Sequence, residues 1–286
     1  MNQKQAKKGN DGLEIEAKNL TEALQNLTEA KNTFLKFYDE KIIPKNNLLY
    51  FASVYYQASL LSAQIYLEKA DESHGAKRHI HLEKALECFN EIYADFVEAK
   101  KPYTALLYQE APYPKIFEEA SFGRSLAYAK NGQIQEAEIA LSEVIQRYGN
   151  MKVKKGHYLS RAWYELAMIS MAKEEYQDAL EYYIHAEEAQ DLEMISGDQK
   201  IDLGIQQSLC YRFLGQLDMA MLTLSKVINE GVISNLRVKA MVLRAEIYEM
   251  QGRSELALKQ LEAASKKGGE WGRVAKEKLV KDYGVN

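Results

Sequence analysis

Residues 163–186 read WYELAMISMAKEEYQDALEYYIHA, and the rest of the chain is organised around what this stretch does. Trp163, Leu166, Ala167 and Ser170 stand at i, i+3, i+4 and i+7, the spacing of one face of an α-helix. Tyr176, Ala179, Tyr183 and Ala186 stand at i, i+3, i+7 and i+10, again one face of a helix, a few residues later. Two short amphipathic helices so close in sequence must fold back on each other. A hairpin of this size cannot bury its apolar face alone, so it needs copies of itself to stack against.

The copies are present. Ser125, Tyr128, Gly132, Ala137, Leu141 and Val144 form one six-residue skeleton. Ala167, Ser170, Glu174, Ala179, Tyr183 and Ala186 form the second, at the same internal steps of +3, +4, +5, +4 and +3. Ser208, Tyr211, Gly215, Ala220, Leu224 and Val227 form the third, and Ala245, Tyr248, Gly252, Ala257, Leu261 and Ala264 the fourth. The anchor alanines Ala137, Ala179, Ala220 and Ala257 lie 42, 41 and 37 residues apart. The small residues allow close approach and the large ones fill the space between hairpins. Glycine at the third position lets the chain leave the helix with positive φ. Glu174 stands there in the second hairpin, which predicts a different turn.

The run Trp163-x-x-Leu166-Ala167 through Tyr176, Ala179, Tyr183 and Ala186 resembles the tetratricopeptide signature. The resemblance implies an all-α fold, an α-solenoid of antiparallel helix hairpins in a TPR-like superhelix, serving protein–protein interaction. The family repeat is 34 residues, so the longer period here implies extra residues between hairpins. Arg124, Gln207 and Arg244 occupy a position where the family usually has Leu, and their stems are expected to be buried with their heads at the surface.

Upstream, Ala63 and Tyr66, then Ala85, Phe89 and Ile92, form a weaker fifth copy around a turn at residues 71–75. Before it, Leu20, Leu24, Leu27, Phe34 and Tyr38 mark one long amphipathic helix over residues 13–42, ended before Pro44, with Lys31 in the missing apolar slot. Its stripe is expected to pack on a next helix over residues 46–70. Self-association as a coiled coil, giving a homodimer through the N-terminal helices, is the alternative to a monomer. Pro102, Pro112 and Pro114 mark a boundary. The expected organisation is a disordered tail (1–11), a long-helix region with one degenerate hairpin (12–110), and four repeats plus a capping helix (111–286). The capping helix would turn Trp271, Val274, Ala275 and Leu279 inward.

Composition narrows the function. A net charge of −4 gives no basic surplus for nucleic acid. The local groups Lys4, Lys7, Lys8 and Lys152, Lys154, Lys155 read as solvated tail and loop. No apolar run is long enough to span a bilayer, and the polar start has no signal-like core, so a cytoplasmic location is expected. Cys88 and Cys210 should be free thiols. No phosphate loop, nucleophile elbow or Cys-x-x-Cys pair is present, and no catalytic residue or cofactor is expected. His79 and His81 point about 200° apart on a helix and cannot share a metal, so no metal site is expected either.

The remaining candidate is the concave groove, which in proteins of this type is lined by the first helix of each hairpin. The resemblance places there Phe122 and Leu126; Arg161, Tyr164, Met168 and Met171; Ile205, Leu209, Arg212 and Phe213; and Val242 and Glu246. The positions where some relatives clamp a terminal carboxylate hold Phe122, Leu126, Gln206 and Asp202, so that clamp is missing. The expected function is a non-enzymatic scaffold that takes an apolar helix or extended peptide in this groove. The alternative is an accessory subunit of a bacterial envelope or secretion assembly, in the periplasm. The stretch 144–148 followed by 159–166 is similar to repeats of periplasmic accessory proteins.

Overall fold

In all four hairpins, the first, fourth, fifth and sixth skeleton positions are buried. Ser125, Ala167, Ser208 and Ala245 are at most 1% exposed, and Ala137, Ala179, Ala220 and Ala257 are fully enclosed. The computed structural model describes residues 3–98, 114–149, 158–189, 197–229 and 234–285. Among these residues twelve α-helices occur and no strand. They fall into two units, Met1–Asn150 and Met151–Asn286.

The first unit holds α1 (Gln3–Asp39), α2 (Leu48–Asp71), α3 (Gly75–Glu98), α4 (Pro114–Lys130) and α5 (Ile134–Gly149). The first repeat hairpin, α4–α5, therefore clusters with the long N-terminal helices, and the division falls at 150/151 instead of 110/111. The long helix also starts earlier than the sequence suggested, at Gln3 instead of residue 13, so residues 3–11 continue it. It stops at Asp39, where Lys41 takes a left-handed φ of 55° and the Ile42 amide donates to the Phe37 carbonyl at 2.9 Å. Helix α1 packs on α2, with Phe34 buried against the Tyr55 ring at 5.1 Å. Lys31, in the gap of the apolar stripe, donates to Glu91 of α3 at 2.6 Å, so the charge in that slot is neutralised by the helix beyond. Ala63, Ala85, Phe89 and Ile92 of the degenerate hairpin are all buried. Where α4 crosses α3, a Cβ on Gly123 would come within 2.4 Å of the Phe89 ring.

The second unit holds α6 (Leu159–Ala172) and α7 (Tyr176–Glu188), α8 (Gly197–Phe213) and α9 (Leu217–Asn229), α10 (Asn235–Met250) and α11 (Ser254–Ser265), closed by α12 (Gly269–Tyr283). Each helix packs on the next, and α8 also touches α10, which touches α12. Side chains of successive hairpins share cores: Ala167, Tyr183, Leu203 and Cys210 in one, Leu224, Val242, Leu261 and Leu279 in the next. On the capping helix, Ala275 and Leu279 are buried, with Trp271 and Val274 half-buried beside them.

Two expectations are corrected. Glu174 does not change its turn: its φ is 62°, beside 79°, 73° and 71° at Gly132, Gly215 and Gly252. The hydrogen bonds also match, with the Glu175 amide donating to the Ser170 carbonyl at 2.9 Å as the Gln216 amide donates to Tyr211 at 2.8 Å. Nor do the polar residues in the Leu position all surface their heads. Arg124, only 8% exposed, lies 3.5 Å over the Tyr93 ring of α3 and donates to Glu143 of α5. Gln207 donates to Glu187 at 2.9 Å, and half-buried Arg244 reaches Ser225 at 3.1 Å and Gln260 at 2.6 Å. Each joins its own helix to the second helix of the preceding hairpin. Pro102, Pro112, Lys152, Lys154, Lys155 and His157 lie outside the described residues.

Candidate functional site

The first helices carry two rows of groove candidates with different fates. Phe122, Tyr164, Ile205 and Val242 stand three residues before the small skeleton residue, and i, i+3 share a helix face. That face is the core. Phe122 is 2% exposed, and Ile205 and Val242 are fully buried, so these three are packing residues and line no groove. Leu126, Met168, Leu209 and Glu246 stand one residue after the small position, about 100° around the helix. Met168 is 40% exposed, and Leu126, Leu209 and Glu246 are half-buried. Leu126 belongs to the first unit and the other three to the second.

Tyr164 is the exception in the buried row because its hydroxyl needs a partner. It donates to Asp202 on α8, while its ring meets Tyr183 edge-on at 5.4 Å. Burial first, then the Asp202 carboxylate, raises its phenol above the usual tyrosine range. A cavity of about 240 Å³ opens beside it, lined by Arg161, Tyr164, Gln199 and Asp202 among others. The Arg161 guanidinium lies 5.5 Å from the Tyr158 ring.

The apolar members sit close together. The Tyr183 hydroxyl lies 3.1 Å from the Met168 sulfur, and the Cys210 thiol 3.3 Å from that of Met171. Phe213, half exposed, stacks on Tyr176 at 4.6 Å. The charged members neutralise one another. Arg212 donates to Glu246 at 2.7 Å, and Lys278 of the capping helix reaches the same carboxylate at 2.8 Å. This chain links α8, α10 and α12. Lys278 was invisible as a groove residue in the sequence, because it lies 32 residues from its partner and outside the repeat skeleton.

The histidines found other work. His79 bonds Asn131 at 2.7 Å and pairs with Glu83 at 3.1 Å, and His185 lies 4.8 Å from the Trp163 ring. Both cysteines are free, and burial pushes the Cys210 thiol up to about 12. Among the described residues no group of three His, Cys, Asp or Glu side chains could hold a metal, and no helix is long and apolar enough to cross a membrane.

Hairpins of this build, with Met168 exposed and Leu126 and Leu209 half-buried on their first helices, define a helical-repeat fold. The tetratricopeptide repeat model matches residues 160–191, the hairpin α6–α7. Solved structures extend the likeness in fold. BtubC (BKLC) from P. vanneervenii is 13% identical with a TM-score of 0.62, covering 90% of this chain and 92% of that one. A Podosopora anserina kinesin light chain protein of nearly identical TPR-like repeats is 16% identical with a TM-score of 0.54, covering 77% and 96%. None of the curated proteins matches the chain.

Proposed function

We propose that the chain is a protein-binding scaffold and that its second unit takes an apolar helix or extended peptide along the first-helix row of Met168 and Leu209. One observation carries this reading. The charged residues on that row are spent on each other, Arg212 and Lys278 on Glu246, while Met168 and Phe213 remain 40% and 50% exposed. Exposed, adaptable apolar side chains framed by satisfied charges suit a surface that gains energy by excluding water. The tetratricopeptide class supports the same reading, since its members serve protein–protein interaction. The corrected contact set is Arg161, Tyr164, Met168, Met171, Leu209, Arg212, Phe213 and Glu246, with Leu126 the corresponding residue of the first unit.

The competing surface is the outer layer of second helices, where Ile184 is 37% and Leu222 65% exposed. A photo-crosslinking amino acid placed at 168, 209, 184 or 222 in turn, in the host, separates the two. Partner adducts at 168 and 209 are expected, and adducts confined to 184 and 222 defeat the proposal. Met168→Lys with Leu209→Lys should then weaken the captured partner by about tenfold or more while helical content is retained.

A further inference from the structure

In the first unit, α1 and α3 both flank the C-terminal half of α2, and a cleft of about 840 Å³ opens between them. Its α1 wall is a stripe at helical spacing, Thr21, Gln25, Thr28, Asn32 and Lys36, that contains no carboxylate. Lys69 of α2 and His81 and Lys84 of α3 face it. Glu29 is the one acidic residue among the lining residues.

Lys31, Lys130 and Lys278 each reach a carboxylate within 3 Å. Lys36, Lys69 and Lys84 form no ion pair among the described residues. Half-buried Lys69 bonds only the Thr21 hydroxyl, at 3.0 Å, and Lys84 lies 5.6 Å over the Tyr66 ring. The His81 ring stacks on Tyr66 at 6.2 Å, and its Nδ1 is enclosed without a hydrogen-bond partner. Burial, then Lys69, Lys77 and Lys84, hold the His81 imidazole below its usual range, with no acid opposing them. A chain of net charge −4 thus keeps a cleft lined by three lysines and one carboxylate.

The layout selects the ligand. Lys69 is level with Thr21, and Lys36 lies fifteen residues further along α1, about 22 Å at 1.5 Å per residue. A single phosphate could engage only one end. No arginine lines the cleft to give a phosphate its paired donors. We propose that this cleft binds an acidic peptide segment, with Asp or Glu side chains spread over about 20 Å, the reach of roughly six extended residues or four helical turns. The neutral donors of the α1 stripe would serve its backbone. This site is separate from the apolar row of the second unit, and either can fail without the other.

The test is fluorescence anisotropy on the full chain, using a labelled octaglutamate peptide with an octaglutamine peptide as the neutral comparison. Octaglutamate should bind saturably and octaglutamine should not. Lys69→Glu with Lys84→Glu should weaken binding by about tenfold or more, with far-UV circular dichroism unchanged. Lys36→Glu, at an exposed position near the end of α1, should weaken it about threefold and serves if the double variant loses structure. Lys276→Glu with Lys281→Glu, on the exposed face of α12, should leave affinity within about twofold. The proposal is overturned if octaglutamate does not saturate, if octaglutamine binds equally, if the α12 pair weakens binding as much as the cleft pair, or if inorganic phosphate at matched ionic strength displaces the peptide where chloride does not.

Discussion

Replacing Glu174 with glycine should stabilise the second unit. Glu174 is exposed and holds a φ of 62°, in a turn that Gly132, Gly215 and Gly252 make elsewhere. An L-residue pays about 1–2 kcal/mol in that conformation. Glycine removes this cost but frees the unfolded chain, which returns about 0.4–1 kcal/mol. The net gain should be about 0.5–1 kcal/mol. Gly215→Ala supplies the mirror image. A Cβ there would meet nothing within 4 Å, so its cost, about 1 kcal/mol, is conformational alone. Both tryptophans, Trp163 and Trp271, lie in the second unit, so their fluorescence during urea or thermal unfolding reports on that unit even if the chain does not unfold in one step. The midpoint should rise by roughly 2–4 °C for Glu174→Gly and fall by a similar amount for Gly215→Ala. Glu174→Ala keeps a Cβ and should gain little. If Glu174→Ala stabilises as much as Glu174→Gly, the charge and not the backbone was at fault, and the reasoning is refuted.

Gly204→Ala should destabilise the second unit by about 1–2 kcal/mol, because its methyl would come within 2.4 Å of the Val227 Cγ2. Adding Val227→Ala should recover part of the loss, and a double-mutant cycle with no coupling contradicts this contact. Cys210 should resist Ellman's reagent at pH 8 until the protein unfolds, since burial raises its thiol to about 12, while half-buried Cys88 should react sooner. Peptide mapping of the labelled protein reads the order. The hydrogen bond from Gln207, and then Lys226, hold the Glu187 carboxyl below its usual value. A depressed carboxylate stabilises the fold above its unfolded pKa near 4.5, and that contribution is lost as pH falls through its lower folded value. Gln207→Leu should therefore flatten the pH dependence of urea midpoints in that acidic window. An unchanged slope would show that the bond does not hold the carboxylate.

The fold was legible because its skeleton is periodic. Residues that recur at fixed steps, such as Ala137, Ala179, Ala220 and Ala257, proved to be the fully enclosed ones. Residue preference alone points to a different turn at Glu174, but the hydrogen-bond pattern there forces a left-handed conformation on a glutamate. The candidate groove was half legible. Resemblance does not distinguish the face shared with the small residue from the face one step around the helix, so its groove positions include the buried Phe122, Ile205 and Val242. Side-chain pairs between hairpins, such as Glu246 with Lys278, follow no sequence period and come only from the packed helices. The lysine cleft escaped for the same reason: its residues come from three helices, and none belongs to a motif.

Arg124, Gln207 and Arg244 give the stack a property that leucine in the same place would not. Leucine grips any apolar neighbour, which is why arrays of near-identical repeats can be lengthened or rearranged. Here each polar residue is matched to partners that only one adjoining hairpin supplies: Tyr93 for Arg124, Glu187 for Gln207, Ser225 for Arg244. Transplanting a hairpin elsewhere would part Gln207 from Glu187 and would leave Arg124 and Arg244 with only the partners of their own hairpins, Glu143 and Gln260. The order of the hairpins is thus written into the side chains themselves, and this protein should tolerate deletion, duplication or shuffling of its modules far less readily than its repetitive outline suggests.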